Sequence, residues 1–168
     1  MKKIILILII AAGIFILNSC QKVKDPGATS AVKVANEWWA TLDSVGIPDY
    51  YGIGHLRIAT YNTSANNGNI WVDDYKAGYG FQVQAAVDYT NLTFSSDAMA
   101  PNNYFIPGST AFPETAHITD GKIFSKGGHS KSGNVADSIH FKIEFSDNPG
   151  FIYEMNGVER TRFPEDDY

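Results

Sequence analysis

A single cysteine in 168 residues excludes an intramolecular disulfide, so packing and hydrogen bonding must hold the fold together. Helical periodicity is missing as well: no stretch sustains apolar residues at spacings of three and four, which argues against a helical bundle or an α/β sheet. Positive charge is scarce, with 13 Lys and Arg against 18 Asp and Glu and a formal net charge of −5. A nucleic-acid partner needs a basic face, so that class is set aside, and docking on anionic lipid by charge is disfavoured too.

Recognisable catalytic and metal chemistry is also absent. His55, His117, His129 and His140 are scattered without ligand spacing. The run Asp73-Asp74-Tyr75-Lys76-Ala77-Gly78 lacks oxygen ligands at the third and fifth positions of a calcium loop, and its acids read as turn residues. Gly128-His129-Ser130-Lys131-Ser132 begins like a nucleophile elbow but ends on serine. That elbow also requires a strand-to-helix turn, so the segment reads as a solvated loop. No catalytic residue, metal site or cofactor is indicated.

What is present begins with an address. Lys2 and Lys3 precede an unbroken apolar run, Ile4 to Leu17. At about 14 residues it is too short to span a bilayer but suits the core of a secretory signal. Leu17-Asn18-Ser19-Cys20 closes it and resembles the lipobox of bacterial lipoproteins. The resemblance implies cleavage before Cys20 and a diacylglyceryl group on its thiol, with the membrane as a partner through that anchor and the outer membrane of the envelope as the location. Residues 1–19 are then the signal peptide and residues 20–30, with Pro26, Gly27, Thr29 and Ser30, a lipidated flexible tether. As a coil of about 10 residues it would span roughly 17 to 19 Å. Residues 31–168 form one domain, long enough for a substantial core.

Within that domain the apolar spacing is two, the period of strands with one buried face. It runs from Ala31 to Asp43, then Ile53 to Tyr61, Asn69 to Asp73, Tyr79 to Val87 and Asn91 to Ser95. Ser96 to Pro113, with Pro101 and Pro107, reads as a long loop. Asp120-Gly121 predicts a type I′ hairpin between Glu114–Thr119 and Lys122–Ser125, followed by a flexible segment from Lys126 to Asn134. Ile139, Phe141, Ile143 and Phe145 mark the clearest strand. Asn156-Gly157 predicts a further turn between Phe151–Met155 and Val158–Phe163, before an acidic tail, Glu165-Asp166-Asp167, that reads as solvated. Eight to ten short strands joined by tight turns predict an all-β antiparallel barrel, with a β-sandwich as the alternative.

Several of these segments carry a family resemblance: Glu37-Trp38-Trp39, Ala59-Thr60-Tyr61-Asn62-Thr63, Ile70-Trp71-Val72-Asp73-Asp74, Thr119-Asp120-Gly121-Lys122, Ala136-Asp137-Ser138-Ile139, Phe145-Ser146-Asp147-Asn148-Pro149-Gly150 and Arg160-Thr161. Together they resemble lipid-binding lipoproteins of Bacteroides-type bacteria, a calycin-like family related to lipocalins that also carries a hydrolase label. The resemblance implies a lipocalin-like barrel and a lipid ligand, and supplies no catalytic set. By analogy with lipocalins, Trp38 or Trp39 plugs the closed end with Arg160 stacked on it. Arg162 stands where the family pattern has glycine.

An eight-stranded barrel is just wide enough to be filled by its own side chains or to hold one small ligand. For the hollow case the ligand-binding candidates are Trp71, Phe81, Phe94 and Phe141 as lining, with Tyr104 and Phe105 as a lid. Three readings follow: a barrel that binds a lipid or other small apolar molecule, a solid barrel that docks a protein partner, and a hydrolase acting on a lipid or ester.

Overall fold

The computed structural model describes residues 29–168, so the leader, Cys20 and most of the tether lie outside the described residues. Nine strands follow in chain order. They are β1 (Asn36–Ser44), β2 (Leu56–Asn62), β3 (Asn69–Asp73), β4 (Gln82–Asp88), β5 (Thr93–Ser95), β6 (Ala100–Pro101), β7 (Thr115–His129), β8 (Val135–Phe145) and β9 (Ile152–Glu159). All pair antiparallel, in the order β5-β4-β3-β2-β1-β9-β8-β7-β6, and a further β5–β7 pairing joins the two sides. Eight strands therefore close into a barrel, with β6 as an extra strand beside β7. Closure leaves those eight no free edge, which a two-sheet sandwich would not achieve.

Period-two patterning decides what faces inward. Trp38, Ala40 and Leu42 of β1, Ile70 and Val72 of β3, and Val83 and Ala85 of β4 are buried. So are Ile139, Phe141, Ile143 and Phe145 of β8, and Tyr153 and Met155 of β9. These side chains join in one continuous apolar cluster inside the barrel.

Two Gly-containing dipeptides do something other than turn the chain. β7 runs unbroken through Asp120-Gly121, where its register with β8 shifts between Thr119 and Lys122. The dipeptide is a bulge: Asp120 takes a positive φ of 54°, and a Cβ on Gly121 would lie 2.3 Å from the Phe94 carbonyl oxygen. The absent side chain lets β5 approach and complete the barrel. A second shift, between Phe124 and Gly128, carries β7 on to His129 through the stretch expected to be flexible. In β9, Asn156-Gly157 stays extended because Gly157 is paired with Ala40 on one side and Ile139 on the other. A Cβ there would approach the Ala40 Cβ to 2.9 Å.

The expected first strand begins instead as a 3-10 turn, Ser30–Lys33. It caps one end of the barrel, with Ala31 and Val34 buried over Trp38. The Trp38 Nε1–H donates to Thr60 Oγ1 at 3.0 Å, and the Thr60 hydroxyl donates to the Val34 carbonyl. At the far end Tyr79 stacks on Phe145 at 3.9 Å, and Tyr153 packs against both Phe145 and Phe151. The long segment 96–113 is anchored there by Asn102, which is buried. Its amide donates to the carbonyls of Gly80 and Pro113 and accepts from the backbone N–H groups of Gln82 and Tyr104.

Candidate functional site

Three of the four residues expected to line a ligand cavity meet inside the barrel. Phe141 lies 6.5 Å from Phe81 and 5.7 Å from Phe94, ring centre to ring centre, and Phe81 is 5.6 Å from Phe145. These are packing distances for aromatic pairs, so the rings fill the interior they were expected to line. Trp71 lies between inward-facing Ile70 and Val72 and therefore points out of the barrel. Tyr104 is laid against the outer wall, where its hydroxyl donates to Asp73 Oδ1 at 2.7 Å and Lys76 covers its ring. The Tyr61 hydroxyl donates to the other oxygen of Asp73, also at 2.7 Å. Burial, reinforced by the Asp73 carboxylate, pushes both phenols well above their usual range. Phe105 follows on the same loop and is half-buried.

Asp74, the second acid of that turn, is fully buried, at 0% exposure. Its carboxylate accepts from the backbone N–H groups of Gly80, Phe81, Lys76 and Gly78, at 2.7 to 3.3 Å. Desolvation raises its pKa against the pull of those four donors. The turn is thus built around an inward-folded carboxylate, in keeping with a structural role for these acids.

An apolar cleft lies on the outer wall, where β1, β9, β8 and β7 run side by side. It has a volume of about 470 Å³. Trp39, Val158 and Phe124 project outward from β1, β9 and β7, the glycine pair Gly127-Gly128 keeps one side low, and Tyr168 covers the opposite side. Phe124 is 45% and Tyr168 48% exposed, both high for large apolar rings. Polar groups at its rim are His55, Ser138, His140 and Asn156.

The chain's last residues build this cleft, and they are not a solvated tail. Asp166 is 3% exposed; it accepts from the Ser132 backbone N–H at 2.7 Å and from the Thr161 hydroxyl at 2.6 Å. Asp167 receives two hydrogen bonds from Arg160. Arg160 also pairs with Glu37 at 3.0 Å, and its guanidinium stands 5.6 Å from the Trp39 ring centre. Trp38 is inside the barrel and Trp39 outside it, so the arginine covers the outer indole. Tyr168 meets Trp39 edge-on and stacks on His55 at 3.7 Å. Burial lowers the His55 pKa. The Trp39 Nε1–H is buried without a hydrogen-bond partner. Ser130, expected in solvent, is buried beside Ser132 in the turn that receives Asp166.

His140 Nδ1 contacts Asn156 Oδ1 at 2.8 Å, and the Asn156 amide donates to Asp43 at 2.7 Å. This fixes the imidazole, but among the described residues no serine hydroxyl is hydrogen-bonded to a histidine, the least a serine hydrolase requires. No group of three or more metal-ligating side chains occurs among the described residues either.

A closed eight-stranded antiparallel barrel, capped at one end by a 3-10 turn over a tryptophan, defines a calycin-like protein. The chain belongs to the lipid-binding putative hydrolase family, which it matches over residues 23–164. Family and barrel together support a lipid-binding role. Comparison with curated proteins finds no match.

Phe124, Val158, Tyr168 and Gly127 carry no sequence signal for a site, and Gly128 is marked only as the start of the elbow-like run. Their cleft draws on residues from 39 to 168, and no local pattern marks such an assembly.

Proposed function

We propose that this protein is a lipoprotein of the bacterial envelope, anchored in the outer membrane through Cys20, whose barrel binds a lipid or another small apolar molecule on its outer wall. The observation that carries the site is the cleft of Trp39, Phe124, Val158 and Tyr168, which keeps large apolar surfaces accessible while the interior is filled. Such a cleft can hold part of an acyl chain, with His140, Asn156 and Ser138 at the rim for a polar end. The anchor rests on the lipobox resemblance and would keep the barrel within reach of its ligands.

Native mass spectrometry of the purified protein, soaked with a fatty-acid and phospholipid series, tests the site. A bound mass that disappears on denaturation is expected, and Val158→Trp, which fills the cleft from an outward position, should abolish it. A bound mass unchanged in Val158→Trp would place the ligand elsewhere. No bound mass with any member of the series would end the lipid reading.

The filled interior also favours a second reading, a solid module that docks a protein. At the barrel end opposite the 3-10 turn, Ile47, Tyr50, Tyr51 and Ile53 are exposed beside Ile152. Tyr51 is hydrogen-bonded to Tyr153 there, and that bond, together with burial, pushes its hydroxyl up to about 12. Loss of a co-purifying partner on Tyr50→Ser, with lipid binding unaffected, would support it.

A further inference from the structure

A second cleft, of about 390 Å³, lies on the opposite part of the outer wall, where segment 96–103 stands over β3, β4 and β5. Its chemistry differs from that of the apolar cleft. The Trp71 indole forms one wall, and around it are the side-chain amides of Asn69, Gln84 and Asn103, the Ser95 hydroxyl and the Asp97 carboxylate. No Lys, Arg or His lines it. Asn103 donates to the Gln82 side chain. Among the described residues the side chains of Trp71, Asn69, Gln84, Ser95 and Asp97 form no hydrogen bonds with protein groups. The cleft is thus an aromatic ring surrounded by uncommitted neutral donors and acceptors plus one carboxylate.

Its walls are held in place before any ligand arrives. β3 and β4 are paired on both sides, so the floor is fixed. The overhanging segment is held by the β6–β7 pairing and the four hydrogen bonds of Asn102, and the Asn103 backbone N–H donates to the Gln82 carbonyl at 2.9 Å. Ordering costs on binding are correspondingly small.

These features narrow the ligand class. An acyl chain would cover the amides and the carboxylate without giving them partners, which leaves desolvated polar groups unsatisfied. A phosphate or other anion would meet Asp97 with no cation in the lining to offset it. The one strand edge here, Ala100–Pro101, is two residues long and its proline has no N–H to donate, which is too little to pair an extended peptide. A neutral sugar ring matches: its C–H face lies flat on an indole, and its hydroxyls both donate and accept, as amides and a carboxylate require.

We propose that the Trp71 cleft is a binding site for neutral saccharides, separate from the apolar cleft. Trp71 is the stacking platform; Gln84, Asn69 and Asp97 hold the hydroxyls. The assignment does not depend on the lipid reading, since the two clefts share no residue.

The test is an array of immobilised neutral and sialylated glycans probed with the purified protein and with Trp71→Ala, Gln84→Ala and Val158→Trp. Neutral glycans should be retained, with affinity falling about tenfold or more in Trp71→Ala, several-fold in Gln84→Ala, and not at all in Val158→Trp. Gln84 is exposed, so its variant reports on the site even if Trp71→Ala folds poorly. Retention of no neutral glycan, of sialylated glycans only, or of neutral glycans equally by wild type and both cleft variants would overturn the proposal. Lipid binding by Trp71→Ala should remain at the wild-type level, so failure here is distinguishable from failure of the apolar cleft.

Discussion

Arg160 grips Asp167 with two parallel hydrogen bonds, from Nε at 2.9 Å and from Nη2 at 3.0 Å. The paired charges are only seven residues apart, yet they hold the chain's last turn against the first strand, because the same guanidinium bonds Glu37 and covers Trp39. One wall of the apolar cleft therefore depends on an electrostatic clasp.

The last turn should loosen in acid in two stages, the Tyr168 stack on His55 first and the clasp only afterwards. Burial holds the His55 pKa below its usual value, so the folded protein favours the neutral imidazole. That contribution is complete above about pH 6.5 and fades as pH falls through the lowered value. Asp166 is held below the usual carboxylate range by the Thr161 hydroxyl and then Ser132, and Asp167 by Arg160. Their contribution is complete above about pH 3.9 and is lost only as pH falls further, through the depressed values. In an NMR titration the Tyr168 ring signals should move first, with the Arg160 Nε proton still protected at about pH 5. Free exchange of that proton at about pH 5 would contradict the clasp.

Gly121→Ala should destabilise the fold by about 2 to 3 kcal/mol, because its Cβ meets the Phe94 backbone, which closes the barrel and cannot simply rotate away. Asp120→Gly, at the positive-φ position beside it, should be neutral or stabilising by up to about 1 kcal/mol. The urea midpoint should therefore fall for Gly121→Ala and hold or rise for Asp120→Gly. An equal, small effect from both would indicate a hairpin loop at this position.

Phe141→Ala should cost about 3 to 5 kcal/mol, the range for deleting a ring from a filled core. It should also create a dry cavity into which benzene binds, raising the variant's melting temperature and leaving the wild type unchanged. A cost below about 1 kcal/mol would mean that the interior is hollow, which is the condition for a ligand between Phe81, Phe94 and Phe141.

Arg162 occupies a left-handed conformation with φ of 66°, one that favours the glycine expected at this point from the resemblance. Arg162→Gly should leave the fold unchanged or stabilise it by up to about 1 kcal/mol by relieving that conformation. A clear loss of stability would show that its 3.8 Å approach to Glu37 outweighs the strain.

Strand identity was legible wherever apolar and polar residues alternate cleanly. β3 falls on its predicted bounds, and the inward face of β8 was evident from Ile139, Phe141, Ile143 and Phe145. Asp120-Gly121 and Asn156-Gly157 were misleading because an isolated Asx-Gly pair reports only that positive φ or a bare backbone is tolerated. Partners far along the chain decided between turn, bulge and extended strand. Trp71 was ambiguous because Ile70-Trp71-Val72 is apolar throughout, leaving either face possible until Val83 and Ala85 paired opposite its neighbours. The acidic tail resembled a solvated one because its partners, Ser132, Arg160 and Trp39, become neighbours only in the folded chain.

The seam between β1 and β9 sets the order in which the molecule can be completed. Trp38 pairs with Glu159 and Ser44 with Tyr153, so β1, made before the other eight strands described, has one flank without its partner until β9, the last of them, has left the ribosome. Contacts of such long sequence separation form slowly. Any factor that holds the nascent polypeptide extended therefore competes with an unfinished barrel and not with a closed one.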